Sequence, residues 1–116
     1  MSAAKYDIEI EQGATFATTL VWNDSAGDPM DLTGYTAKMH IRRTVASEDL
    51  LLELSTENDR IVLGGALGTV ALEIDADTTH EIDWQQAVYD LEVTALDGVV
   101  TRLISGDVLV SFGVTR

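Results

Sequence analysis

Along most of the chain apolar residues recur at every second position, the period of a strand with one buried and one wet face. The cleanest stretch is Tyr35 to Arg43, where Tyr35, Ala37, Met39 and Ile41 alternate with Thr36, Lys38, His40 and Arg42. Thr15 to Trp22 sets Phe16, Leu20 and Trp22, with Thr18 among them, against Ala17, Thr19 and Val21. Val70, Leu72 and Ile74 alternate with Ala71, Glu73 and Asp75, and Tyr89, Leu91, Val93 and Ala95 with Val88, Asp90, Glu92 and Thr94. Shorter runs at Tyr6 to Glu11, Leu50 to Ser55, Arg60 to Leu63, Val99 to Ser105 and Val108 to Val114 complete the set. By length alone Leu50-Leu51-Leu52 fits a strand or a buried helical turn; its neighbours favour a strand.

Turn residues punctuate these runs. Asp97-Gly98 lies between two alternating segments and predicts a two-residue type I′ hairpin, because both residues tolerate positive φ. Asn23 to Pro29 predicts a loop, with the single proline setting φ at its exit. Glu57-Asn58-Asp59 and Gly64 to Gly68 predict two further connections. Alternation stops between Ala76 and Gln86, where Asp77 to Glu81 suits one helical turn near residues 77–82, capped by Asp77 or Thr78. Seven to nine short strands with at most one helical turn predict an all-β antiparallel sandwich, expected as a single domain over 1–116 with residues 1–5 frayed. No repeat or low-complexity linker interrupts it.

Charge narrows the function. Twenty Asp and Glu against seven Lys and Arg give −13 on 116 residues, which argues against nucleic-acid binding and against an anionic membrane surface. For 12.6 kDa, surface scaling gives roughly 6,200 Å² folded against about 18,000 Å² unfolded, enough burial for an independent core. Cysteine is absent, so disulfides and thiolate metal sites are out. Neither a basic–apolar leader nor a long apolar run is present, and the expected compartment is the cytoplasm or an assembly built there.

Catalytic chemistry finds no foothold. His40 sits on the polar face of its strand, and His80 lies among Asp75, Asp77, Glu81 and Asp83 without the spacing of a calcium loop. No Gly-x-Ser-x-Gly elbow appears, and Gly64 to Gly68 lacks the Lys-Ser/Thr of a phosphate loop. We therefore expect no enzyme activity, no catalytic residues, no cofactor and no metal. Trp84 is the one aromatic suited to a glycan face, too few for carbohydrate binding. The bases gather instead: Lys38, Arg42 and Arg43 share one strand, and either pair with an acidic stripe at Asp90 and Glu92 on a neighbour or dock an acidic partner.

Several segments occur in a familiar order. Gln12-Gly13-Ala14-Thr15-Phe16 leads into a strand ending at Trp22, followed by Asp28-Pro29-Met30-Asp31-Leu32-Thr33-Gly34-Tyr35 and the strand to Arg42. Later come Ala87 to Val93, the Asp97-Gly98 turn, Val100 to Gly106 and the closing Val114-Thr115. Over about residues 6 to 115 this succession resembles the immunoglobulin-like N-terminal domain of tailed-bacteriophage baseplate upper proteins and their stand-alone prophage relatives. The resemblance implies an immunoglobulin-like sandwich and a virion structural protein, with no catalytic residues to carry over. The matched region includes no coiled-coil or receptor-binding extension, so no attachment role is implied.

The expectation is thus a tail or baseplate adaptor that binds other phage virion proteins in the tail, baseplate or neck. It would be assembled in the host cytoplasm, with multiple copies arranged symmetrically in the virion. A capsid decoration protein and an acidic inhibitor of a basic host protein are the alternatives. Candidate partner-binding residues are Lys38, Arg42 and Arg43 on the basic strand and Val108, Val110 and Phe112 on the terminal strand. That strand is the candidate edge: it is apolar at successive positions, so it lies inside the sandwich or under a partner. Asp31 to Tyr35 is expected to turn a corner between sheets with Leu32 buried, and Tyr89, Leu91 and Val93 to pack on Trp22, Leu20 and Met39 across the sandwich.

Overall fold

The alternating segments become nine strands in a computed structural model that describes residues 4 to 114. They are β1 (Ala4–Lys5), β2 (Ile8–Glu11), β3 (Phe16–Val21), β4 (Thr36–Arg42), β5 (Leu50–Ser55), β6 (Ile61–Leu63), β7 (Thr69–Ile74), β8 (Gln86–Thr94) and β9 (Val100–Ser111). A 3₁₀ turn covers Gly65–Leu67, and one short helix, α1, covers Ala76–His80. The larger sheet runs β1-β9-β8-β4-β5 with β2 also on β9; the smaller runs β3-β7-β6. This is an immunoglobulin-like sandwich in which the smaller sheet has three strands, because both N-terminal strands pair with β9.

Even and odd positions separate as the alternation requires. Ala37, Met39 and Ile41 of β4, Leu54 of β5, Ala87, Tyr89, Leu91 and Val93 of β8, and Val70, Leu72 and Ile74 of β7 are buried in one cluster between the sheets. Removing each of the valine, leucine, isoleucine and methionine side chains among these from water stabilises the fold by about 1.5–3 kcal/mol. Met39 stands directly opposite Leu91 on the adjacent strand. It therefore packs beside the β8 residues and not across from them; Leu20 and Trp22 come from the side of the smaller sheet. Asp31 to Tyr35 does carry the chain from one sheet to the other, with Leu32 buried and Gly34 at φ +81°. The molecule measures 45 × 28 × 24 Å and exposes 7064 Å². This exceeds the scaling estimate because the sandwich is elongated.

Four local expectations need correction. The 95–99 hairpin is not type I′. Gly98 takes φ +91° while Asp97 stays at negative φ, and Gly98 N–H donates to Ala95 C=O at 2.9 Å. That is a type I turn closed by a left-handed glycine, the three-residue hairpin. Helix α1 begins one residue early, with Asp75 at its N-cap; the Asp75 carboxylate accepts from the Thr78 hydroxyl.

The third correction bears most on function. Val99 to Ser105 and Val108 to Val114 are not two strands; most of both merges into β9, which runs between β8 and β1/β2 and is not an edge. Gly106, between the two expected runs, lies in mid-strand where a Cβ would sit 2.5 Å from the Tyr6 carbonyl oxygen. Glycine lets the N-terminal segment approach there. Both N-terminal strands also run parallel to β9, where an antiparallel arrangement was expected. The fourth concerns the expected fraying: Ala4–Lys5 is a paired strand, while residues 1–3 lie outside the described residues, as does Thr115 of the closing motif.

Candidate functional site

The outer face of the larger sheet collects the charges. On β4, Lys38, His40 and Arg42 point outward, and the register sets Lys38 beside Glu92 and His40 beside Asp90 on β8. On the other side His40 faces Glu53 of β5. The expected meeting of basic and acidic stripes is therefore present. Its closest contact is His40 Nε2 to Glu53 Oε2 at 2.7 Å, and Arg102 Nε of β9 lies 3.4 Å from Asp90 Oδ2.

Arg42 fixes the histidine's tautomer. Its guanidinium lies 3.3 Å from His40 Nδ1, and arginine has only donors to offer, so Nδ1 accepts and Nε2 carries the proton toward Glu53. Arg42 also donates to the Glu48 carbonyl at 2.8 Å, tying the β4–β5 connection to the sheet. With Thr44, Val45, Val88 and Ser105 these side chains border a shallow depression of about 300 Å³. Half-exposed pairs of this kind contribute roughly 0–1 kcal/mol apiece and mostly define register.

The six candidate partner-binding residues divide. Lys38 and Arg42 share the outer face of β4, whereas Arg43 lies just past the strand's end and not on it as expected; Lys38 and Arg43 are exposed and Arg42 is half-buried among its partners. Val108 and Val110 point into the core at 0% and 3% exposure, paired with Ala87 on β8 and with Ile8 and Ile10 on β2. They are not available to a partner, and their assignment is corrected: the apolar run is apolar because β9 is interior. Phe112 is 47% exposed and lies past β9 in a separate depression with Gln12, His80 and Ile82. Trp84, the lone glycan candidate, is buried at 6%.

The smaller sheet turns a different face outward. Ala17, Thr19 and Val21 of β3, Val62 of β6, and Thr69, Ala71 and Glu73 of β7 line it, so one formal charge covers three strands. Val21 and Val62 are each 58% exposed. The sequence signalled this face only weakly: Ala17-Thr18-Thr19 reads as an ordinary wet face until the register brings Ala71 alongside.

At one end of the sandwich a buried hydroxyl joins three segments. Thr79 Oγ1 of α1 donates to the Ala14 carbonyl at 2.8 Å and accepts from Gly13 N–H at 3.1 Å. The Gln12 side chain bridges Ile82 C=O and Gly113 N–H. At the residue of α1 preceding Thr79, Arg60 reaches the Thr78 hydroxyl and also donates to the Glu53 carbonyl. Hydrogen bonds from Thr33 hold the Asp31 carboxyl below its usual range, and one from the Thr78 hydroxyl does the same for Asp75. Burial, with Tyr6 and Asp7 nearby, pushes the Tyr89 phenol upward; its hydroxyl donates to the Tyr6 carbonyl. Among the described residues no group of three or more His, Asp or Glu is close enough to hold a metal.

No family model matches the chain, and no curated protein matches it. Among solved structures, extracellular domains 3–5 of Drosophila OTK are 16% identical with a TM-score of 0.38, covering 95% of this chain. This chain spans 33% of that one. The extracellular domain of the voltage-gated sodium channel β4 subunit, described in parallel homodimers with a role in cell–cell adhesion, is 9% identical with a TM-score of 0.47. Coverage there is 98% of this chain and 97% of the other. No helix among the described residues is long and apolar enough to cross a membrane.

Proposed function

We propose that this chain is a structural component of a tailed-bacteriophage or prophage virion, a tail or baseplate adaptor that joins other virion proteins and acts without catalysis. The carrying observation is the outer face of the β3-β7-β6 sheet, nearly free of charge on a chain of net −13. A solvated face gains solubility from charge, whereas a packed face loses stability to each unpaired charge it buries. The resemblance of Asp31 to Tyr35 and Tyr89 to Val93 to baseplate upper proteins supplies the phage context, and their corner and core positions are compatible with it.

Three strands of this length offer roughly 300 Å² of flat surface, short of the approximately 800 Å² per partner typical of a stable pair. Such a face suits an assembly in which many modest contacts act together. Mass spectrometry of density-purified particles from a producing strain tests the reading. Recovery of the chain at a fixed ratio to the tail or baseplate proteins is the expected result. Its absence from particles overturns the structural role, and cryo-EM density on the head lattice would replace the adaptor with a decoration protein.

A further inference from the structure

We propose that the free edge of β3 accepts an extended, basic segment of a partner protein as an added strand. β3 ends its sheet, and among the described residues nothing pairs with it on the side away from β7. Trp22 N–H donates to Gly68 C=O at 2.8 Å, continuing the β3–β7 ladder. In an antiparallel ladder the bonded residues alternate. The N–H and C=O groups of Ala17, Thr19 and Val21 are therefore turned outward, a ready template for another strand.

The groove beside this edge also specifies what fits. Between β2 and β3 lies a cleft of about 320 Å³ bordered by Asp7, Ile8, Glu9, Glu11, Phe16 and Thr18. Ile8, Phe16 and Thr18 supply a partly apolar floor for alternate side chains of an inserted strand. Three carboxylates with no base among the lining residues favour Lys or Arg at the remaining positions. A second copy is a poor occupant: its own β3, Phe-Ala-Thr-Thr-Leu-Val, brings no base, and each copy brings −13. Natural free edges are commonly blunted by lysine, proline or a bulge. β3 has none of these, while β5 at the edge of the other sheet pairs with β4 through a register shift at Ile41/Arg42.

The test uses the full chain, ¹⁵N-labelled, and a synthetic peptide of alternating Lys and Val. At saturation, amide exchange at Ala17, Thr19 and Val21 should slow by about tenfold or more, while amides of β5 are unmoved. Replacing Glu9 and Glu11 together by Gln should weaken binding by roughly tenfold. Thr19→Pro should abolish it with the fold retained, because that N–H lies outside the β3–β7 ladder. A peptide N-methylated on alternate residues should fail against the unaltered protein, which keeps the test valid if the proline variant misfolds. Equal binding of a Glu-Val peptide, protection elsewhere than β3, full affinity of the N-methylated peptide, or a peptide-free dimer that protects these amides would overturn the proposal.

Discussion

The two outer faces of the sandwich obey the same alternation and carry opposite chemistry. On the larger sheet, outward positions hold Lys38, His40 and Arg42 beside Glu53, Asp90, Glu92 and Arg102. On the smaller sheet they hold Ala17, Thr19, Val21, Val62, Thr69 and Ala71, with Glu73 at the margin. The charged face is largely occupied with itself: each base on β4 has an acid, histidine or carbonyl from the sheet or its adjoining connection beside it. The uncharged face carries two threonine hydroxyls and one marginal carboxylate, and little to repel a neighbour. Charge density thus separates the two faces, and the bare one is the face we propose packs against a neighbour in the particle.

Both faces rest on one core, and the largest expected effect lies there. Met39→Ala should cost about 2–5 kcal/mol and melt the two sheets together in a denaturant titration. Separate transitions for the two tryptophans would show that the faces belong to independent units. Placing a charge on the uncharged face comes next. Ala71→Arg should change stability by no more than roughly 0.5 kcal/mol, yet reduce incorporation into particles by about tenfold or more.

The reverse experiment sharpens the contrast. Lys38→Glu with Arg42→Glu sets like charges against Glu92 and removes the donor from His40. It should cost roughly 1–2 kcal/mol in thermal unfolding while leaving incorporation intact. Intact stability with lost incorporation would instead make the basic strand the docking surface.

How much of this was legible beforehand differs by feature. The strands, the sheet-crossing corner with Leu32, and the basic stripe against Asp90 and Glu92 follow from period two and from side-chain charge. The true edges do not. Val108 and Val110 read as a candidate edge because they belong to the last apolar run; that this run joins the preceding one through Gly106 and is covered by the N-terminal strands depends on Tyr6 and β2, a hundred residues earlier. Likewise nothing local says that Glu53 reaches His40, that Thr79 anchors Ala14, or that Ala71 extends the bare surface of β3, since register between distant strands is set by pairing.

The smallest effects concern pH. Asp31 and Asp75 have lowered pKa values when folded, so the stability they contribute is complete above about pH 4 and drains away as pH falls through their folded values. Thr33→Val and Thr78→Val should each flatten that acid limb. Tyr89 is raised when folded, so the unfolded chain ionises first, and stability should fall as pH climbs beyond about 10. Tyr89→Phe should remove that alkaline loss in a pH series of unfolding curves.

Quantitative mass spectrometry of particles purified from cells expressing the unaltered chain and Ala71→Arg in equal amounts is the most direct trial of the central claim. The account requires the unaltered chain in the particles at a fixed ratio to tail or baseplate proteins and the variant excluded although folded and abundant in the lysate. Equal incorporation of both, or of neither, would contradict it.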